Sequence, residues 1–180
     1  MKKTIYLAML LMTVPFLSMA QWPSNVTPVE SKPKDSVTVS GDLANGVIME
    51  DLSWAASSSN ACFVSLQNYK FSGNHIMYAT TMPPRSIMTI TVSPADANGN
   101  LSLYGYMMGG TEHRVVPNLP SCITCEADYK WDRPVKNRVQ TSERKIEFQN
   151  PTQNTYNIVI GVSAPKDVTT GQFNLKIKLK

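Results

Sequence analysis

Three cysteines are the residues of this chain whose type and spacing could do chemistry. Cys122 and Cys125 form a C-x-x-C pair within SCITCEADYKW, and Cys62 lies far upstream. A redox pair of this kind needs its first thiolate stabilised at a helix N-terminus, whereas the β-branched Ile123 and Thr124 between the cysteines indicate a strand. A structural zinc site needs two further ligands at paired spacing, which the chain does not offer. A disulfide is therefore favoured if the protein is exported.

The N-terminus predicts export. Lys2 and Lys3 precede an apolar run from Ile5 to Leu17, and small residues precede a predicted cleavage site after Ala20. This is the pattern of a secretory signal peptide at residues 1–20. A retained membrane anchor needs roughly 20 apolar residues, and this run is too short. We expect a secreted or periplasmic bacterial protein with no membrane span after signal cleavage.

Three thiols allow three single disulfides. A Cys122–Cys125 bond would close a very small loop and constrain little. A bond from Cys62 to either of the others would stabilise the fold by roughly 4 kcal/mol on the chain-entropy model. We predict a Cys62–Cys125 disulfide with Cys122 as a free thiol, and keep Cys122 as the alternative partner of Cys62.

The two histidines give little support for catalysis. His75 opens an apolar strand and His113 lies in a polar hairpin, so both are predicted to be surface residues. None of the serines lies in a G-x-S-x-G motif, and paired carboxylates at glycosidase spacing are not evident. We predict no catalytic residue.

Asp96, Asn98 and Asn100 have the alternating spacing of oxygen ligands in calcium loops. No glutamate follows at the distance that such a loop requires, and an ordinary turn explains the same residues. These three form only a weak calcium candidate, and we predict no metal and no cofactor.

Four aromatic residues could form a ligand face, because aromatic rings stack on sugars. They are Tyr104, Tyr106, Tyr129 and Trp131. Tyr104 and Tyr106 lie two apart on one predicted strand, so they share a face of the sheet. The same pattern also predicts a second buried face, and both alternatives remain open at this point.

The charge pattern argues against nucleic-acid binding. The chain has 17 basic and 13 acidic residues, and removal of Lys2 and Lys3 leaves 15 basic residues and a net charge of +2. The basic residues are scattered, whereas a nucleic-acid binder concentrates them on one face.

The remaining chain predicts strands and turns. Residues 21–35 are an extended leader, and residues 36–180 are one domain, in which several predicted strands alternate apolar and polar residues in period two. This pattern predicts an all-β fold, a single antiparallel, jelly-roll-like β-sandwich. The predicted strands are Val37–Ser40, Gly46–Met49, Ala61–Leu66, His75–Thr80, Ile87–Ser93, Leu101–Met107, His113–Val116, Ile123–Tyr129, Lys145–Phe148, Tyr156–Val162 and Phe173–Leu179.

The order of strand motifs resembles the bacterial pre-peptidase C-terminal domain group. The motifs that carry the resemblance lie at residues 74–80, 88–92, 100–106, 156–162 and 170–177. The match covers about Ala61 to Leu179 and implies a secreted β-sandwich. Two departures from that group are expected: the domain stands alone without a peptidase, and the acidic position of its D-x-x-L-x-L motif falls on Gly99 or Asn100, which weakens any cation site there.

These observations favour an exported, non-catalytic β-sandwich that binds a cell-surface protein or glycan. The alternative is a secreted hydrolase or thiol-redox protein whose site the sequence does not reveal.

Overall fold

The computed structural model describes residues 22–57, 59–129, 136–137 and 140–180. These residues form ten strands and three short 3-10 helices. The strands are β1 (Val26–Pro28), β2 (Ser36–Asp42), β3 (Val47–Ile48), β4 (Asn74–Met82), β5 (Ser86–Pro94), β6 (Ser102–Gly109), β7 (Thr124–Tyr129), β8 (Arg144–Asn150), β9 (Tyr156–Ser163) and β10 (Gln172–Leu179), and the helices are Leu43–Asn45, Ser53–Ala56 and Ser65–Phe71.

The strands form two sheets that pack face to face. The six-stranded sheet has the order β1-β4-β9-β6-β7, with β3 also paired to β4, and the four-stranded sheet has the order β2-β10-β5-β8. All the pairings are antiparallel except that of β1 with β4. The predicted all-β sandwich is confirmed.

Period-two alternation gives the four-stranded sheet one buried face. Along β10 the exposed and buried residues alternate strictly, and the buried ones include Leu175 and Ile177. Strand β5 contributes Met88, Ile90 and Val92 to the same core between the sheets. Burying each such side chain stabilises the fold by roughly 1.5–3 kcal/mol, so the alternation specifies which face turns inward.

The central strands of the six-stranded sheet, β6 and β9, are buried on both faces. Every residue of β9 is buried, as are all but the last residue of β6. The inner face of this sheet meets the four-stranded sheet, and its outer face lies under an irregular layer formed by residues 49–57, 59–72 and 113–122, here called the cover. A second hydrophobic core lies between the cover and this sheet.

Two predicted strands belong to the cover and are not strands. Residues 61–64 are irregular and lead into a 3-10 helix at Ser65–Phe71, and residues 113–116 are irregular as well. These segments lie over the face of a sheet, where no strand edge is available for pairing. Their backbone hydrogen bonds are local instead, as from Cys62 N to Ala55 O at 2.9 Å.

The predicted leader contributes a strand that the sequence analysis did not anticipate. Val26–Pro28 pairs in parallel with Met77–Ala79 of β4. The predicted signal peptide lies outside the described residues. No helix of the described segments has the length and apolar character needed to cross a membrane.

Candidate functional site

The three cysteines meet at one edge of the cover. Cys125 on β7 pairs in register with Tyr106 on β6, so both side chains point from the sheet towards the cover. Cys62 belongs to the cover, and its thiol interacts with that of Cys125. Cys122 precedes β7, and its thiol also interacts with that of Cys125. The structure holds all three as free thiols, so the Cys62–Cys125 disulfide stays a prediction.

Each thiol also contacts a carbonyl oxygen. The Sγ atom of Cys125 lies 3.1 Å from Ala61 O, and that of Cys62 lies 3.9 Å from Gly105 O. The Sγ atom of Cys122 lies 3.7 Å from Ser59 O. The cover and the β6–β7 pair are therefore held together at the cysteine cluster by contacts that do not depend on a covalent bond.

The three thiols differ in acidity. A hydrogen bond donated by the Cys62 thiol to Cys125 raises the pKa of Cys62 and lowers that of Cys125, and burial raises the pKa of Cys62 further. Burial and the neighbouring Cys125 raise the pKa of Cys122 to about 11. Since the thiolate is the nucleophile in thiol chemistry, Cys125 is the cysteine of this cluster that is best placed to react first.

His75 is buried, which corrects its prediction as a surface residue. Its Nε2 lies 2.6 Å from Phe71 O, which can only accept, so Nε2 carries the proton. Nδ1 then accepts a hydrogen bond from the Tyr104 hydroxyl at 3.0 Å. Burial lowers the pKa of His75 to about 4, so the ring is neutral at physiological pH. Both ring nitrogens are engaged, and His75 acts as a structural group that ties β4 to β6.

Tyr104 and Tyr106 are fully buried, so of the two alternatives left open by the sequence they form the second buried face and not a ligand face. The ring centroid of Trp54 in the cover lies 5.8 Å from that of Tyr104 and 5.9 Å from that of Tyr106. The Tyr106 hydroxyl donates to Asn60 O at 3.0 Å. These rings fill the second core, because the cover excludes solvent from the outer face of the sheet.

The other predicted aromatics are placed differently. Tyr129 at the end of β7 is half-buried, and Lys70 Nζ lies 4.4 Å from its ring centroid, a cation–π distance. Trp131 lies outside the described residues. The half-buried ring of His113 lies against Trp22, with 4.9 Å between the ring centroids.

The weak calcium candidate lies in a turn. Asp96 Oδ1 accepts from Asn98 N at 2.9 Å, and Asp96 O accepts from Gly99 N at 2.8 Å. These bonds account for an aspartate at position 96. Within the described ranges, no group of three or more His, Cys, Asp and Glu residues is placed to hold a metal ion.

The cover also carries an exposed apolar surface that the sequence analysis missed. Val64, Leu66 and Tyr69 are 60%, 86% and 49% exposed, and we call them the apolar ridge. Phe63 and Phe71 flank the ridge and stack beneath it, with ring centroids 3.9 Å apart and planes 7° apart. The stretch FVSLQNYKF could have revealed this arrangement, because its terminal aromatics enclose apolar residues that have no helical or strand period.

The ridge is attached to one end of the sandwich. Tyr69 O accepts a hydrogen bond from Lys166 N at 3.0 Å, and Val168 O nearby accepts from Asn74 N at 3.4 Å. Val168 and Ile48, which pairs with Asn74, are also exposed apolar residues. Exposed apolar side chains are thus concentrated at the end of the molecule where β4 begins.

No family model and no curated protein matches this chain. Three similar solved structures are each 10% identical to it. The Aeromonas hydrophila periplasmic inhibitor of g-type lysozyme, PliG, has a TM-score of 0.41 and covers 87% of this chain and 98% of its own. The pre-peptidase C-terminal domain of Bacillus anthracis collagenase has a TM-score of 0.39 and covers 89% of this chain and 99% of its own. The surface-associated copper-binding protein CorA of Methylomicrobium album BG8 has a TM-score of 0.45 and covers 87% of this chain and 99% of its own. The domain group that the strand motifs resemble is represented among these structures. Nothing about the partners of these proteins follows for this chain from similarity at this level.

Proposed function

We propose that this protein is an exported, non-catalytic β-sandwich module that binds a protein partner through the apolar ridge of Val64, Leu66 and Tyr69. The observation that carries the proposal is the position of Leu66, which is 86% exposed on a segment held in place by the buried Phe63 and Phe71. Exposed apolar side chains that are close together are a mark of interaction surfaces. A rigid segment also loses little conformational entropy on binding.

A protein is favoured over a glycan as the partner. Glycan recognition by stacking needs an exposed aromatic face, and Tyr104 and Tyr106 have none. The ridge consists of two aliphatic side chains and one tyrosine, an exposed apolar surface of the kind that marks protein–protein interaction sites. Export follows from the predicted signal peptide and places the partner outside the cytoplasm.

The state of His75 supports a non-catalytic role. A general base must be able to reach the proton that it abstracts. His75 is buried, its pKa is lowered to about 4 by burial, and its two nitrogens bond to Tyr104 and to Phe71 O. A hydrolytic triad built on His75 would have to break these bonds.

Site-specific photocrosslinking in the native host tests the proposal. A photoreactive residue at position 66 is compared with one at position 87, because Ile87 is an exposed aliphatic residue on the four-stranded sheet, at 38% exposure. We expect one protein adduct from position 66 and none from position 87. The adduct is identified by mass spectrometry, and its affinity for the module is then measured with both proteins purified.

Leu66→Ser should weaken that affinity roughly 10- to 30-fold, which corresponds to about 1.4–2 kcal/mol, while Ile87→Ser leaves it unchanged. Both substitutions are at exposed positions and should change stability by less than about 0.5 kcal/mol. Equal crosslinking from both positions, an adduct with a second copy of this chain alone, or an unchanged affinity in Leu66→Ser would refute the ridge as the binding surface.

A further inference from the structure

The sulfurs of Cys125 and Cys122 both lie against the short segment that leads to Cys62: Cys125 Sγ is 3.1 Å from Ala61 O, and Cys122 Sγ is 3.7 Å from Ser59 O. The thiol of Cys125 interacts with those of both Cys62 and Cys122. In the described part of the chain, Cys62 and Cys122 each interact with one other thiol, and for both of them it is the thiol of Cys125. A sulfur that is shared in this way can form a bond to either neighbour, but to only one of them at a time.

The three cysteines belong to segments that are already docked. Asn60 of the cover accepts a hydrogen bond from the Tyr106 hydroxyl at 3.0 Å through its backbone oxygen. Its side-chain oxygen lies 3.6 Å from the Sγ atom of Cys122, and its side-chain nitrogen donates to Leu119 O at 3.2 Å. These contacts hold Cys62, two residues further on, against β7 before any covalent bond is made.

We propose that Cys62, Cys122 and Cys125 form a thiol–disulfide exchange site that reacts with an external disulfide and passes the resulting bond between Cys62 and Cys122. The absence of a helix beside the C-x-x-C pair argued against redox chemistry in the sequence. The fold supplies a third thiol in place of that helix. All three cysteines are only partly buried, so a small disulfide can reach the cluster.

The reaction balances in two stages. The Cys125 thiolate attacks one sulfur of the external disulfide, forms a mixed disulfide and releases one external thiolate. The Cys62 thiolate then attacks Cys125 Sγ, forms the Cys62–Cys125 bond and releases the second external thiolate. Two protein thiols are thereby oxidised, and one external disulfide is reduced to two thiols.

A separate exchange step, after this oxidation, moves the bond without net oxidation. The Cys122 thiol loses its proton to solvent, and its thiolate attacks Cys125 Sγ. The Cys122–Cys125 bond forms, the Cys62–Cys125 bond breaks, and Cys62 leaves as a thiolate that takes up a proton. In the first isomer the part of the cover that contains Cys62 is covalently attached to β7, and in the second only non-covalent contacts attach that part.

Oxidation of the folded, reduced mature protein by oxidised glutathione tests the site. Disulfides are mapped by peptide mass spectrometry after the free thiols have been alkylated. We expect wild type to yield both isomers, Cys62→Ser to form Cys122–Cys125, and Cys122→Ser to form Cys62–Cys125. Cys125→Ser should form mixed disulfides with glutathione and no intramolecular bond, and Cys125→Ala replaces it if the serine variant does not fold.

Exchange itself is followed after the glutathione has been removed. Starting from the Cys62–Cys125 isomer, the alkylated residue should change with time from Cys122 alone to a mixture of Cys122 and Cys62. Two results would overturn the proposal. The first is that the Cys125 variant forms a Cys62–Cys122 bond at the same rate as the wild-type protein forms its disulfides. The second is that, in the exchange experiment, only Cys122 is alkylated at every time point.

Discussion

Substitution of Gly161 by alanine should test the packing of the second core directly. Gly161 on β9 pairs in register with Tyr104 on β6, and a Cβ atom built on Gly161 would fall within the Tyr104 ring. That ring cannot move freely, because it is fully buried, packs against Trp54 and donates a hydrogen bond to His75. The glycine is therefore required by the ring that crosses it.

The expected cost of Gly161→Ala is about 1–3.5 kcal/mol in the free energy of unfolding. Overpacking a core typically costs about 1–3 kcal/mol, and displacing the ring weakens its hydrogen bond to His75 by about 1 kcal/mol. The alanine recovers roughly 0.5–1 kcal/mol, because glycine in a strand is entropically unfavourable. For a domain of this size the melting temperature should fall by roughly 2–14 °C.

Urea titration followed by circular dichroism measures this cost. Gly109→Ala is the matched control at the end of β6, since its added Cβ would have only one neighbour, Glu112 Cγ at 3.8 Å. In a Tyr104→Leu background the Gly161→Ala cost should largely disappear, because the ring atoms that clash are gone. A cost below about 0.5 kcal/mol in wild type, or equal costs in both backgrounds, would refute the packing argument.

Three further predictions concern the same region. Stability to urea should fall by roughly 3 kcal/mol as the pH drops from about 6.5 to about 4, because the unfolded chain protonates His75 at about its ordinary pKa whereas burial lowers the folded pKa to about 4. In His75→Gln this loss of stability between about pH 6.5 and pH 4 should be absent. If the variant lost as much stability over this range as the wild-type protein, His75 would not be its cause. Trp54→Ala should cost about 3–5 kcal/mol by urea titration, because it removes a buried ring that contacts Tyr104, and a loss below about 1 kcal/mol would show that the cover packs weakly. Oxidised protein with a Cys62–Cys125 bond should be more stable to unfolding than its reduced form by roughly 4 kcal/mol. Cys62→Ser, which cannot form that bond, is the control. Equal unfolding midpoints of the wild-type protein with and without reductant would count against the bond.

The strands of the sandwich could be predicted because their signal is local. In β5 and β10 apolar residues alternate with polar ones, so the sequence of each strand alone indicates which of its faces is buried. Both strands are in the four-stranded sheet, whose outer face is solvated. Nine of the eleven predicted strands are present, and the two that are absent, at residues 61–66 and 113–116, belong to the cover.

The positions of the site residues depended on contacts between distant parts of the chain. His75 opens an apolar strand in the sequence, yet it is buried because Tyr104, on another strand, and Phe71, at the end of the cover helix, enclose it. The tyrosine pattern predicted a shared face but could not say whether that face meets solvent or a further layer.

The cover explains why the remaining features could not be predicted. A short apolar segment that lies over a sheet has the same composition as a buried strand, and only the absence of a free sheet edge distinguishes the two. Residues 61–64 were misassigned for this reason, and the exposure of Leu66 went unnoticed with them. The sequence by itself determined the sandwich through local alternation. The tertiary structure decided which residues the cover buries, which it exposes and which sulfurs it brings together, because those outcomes depend on packing between segments about 60 residues apart.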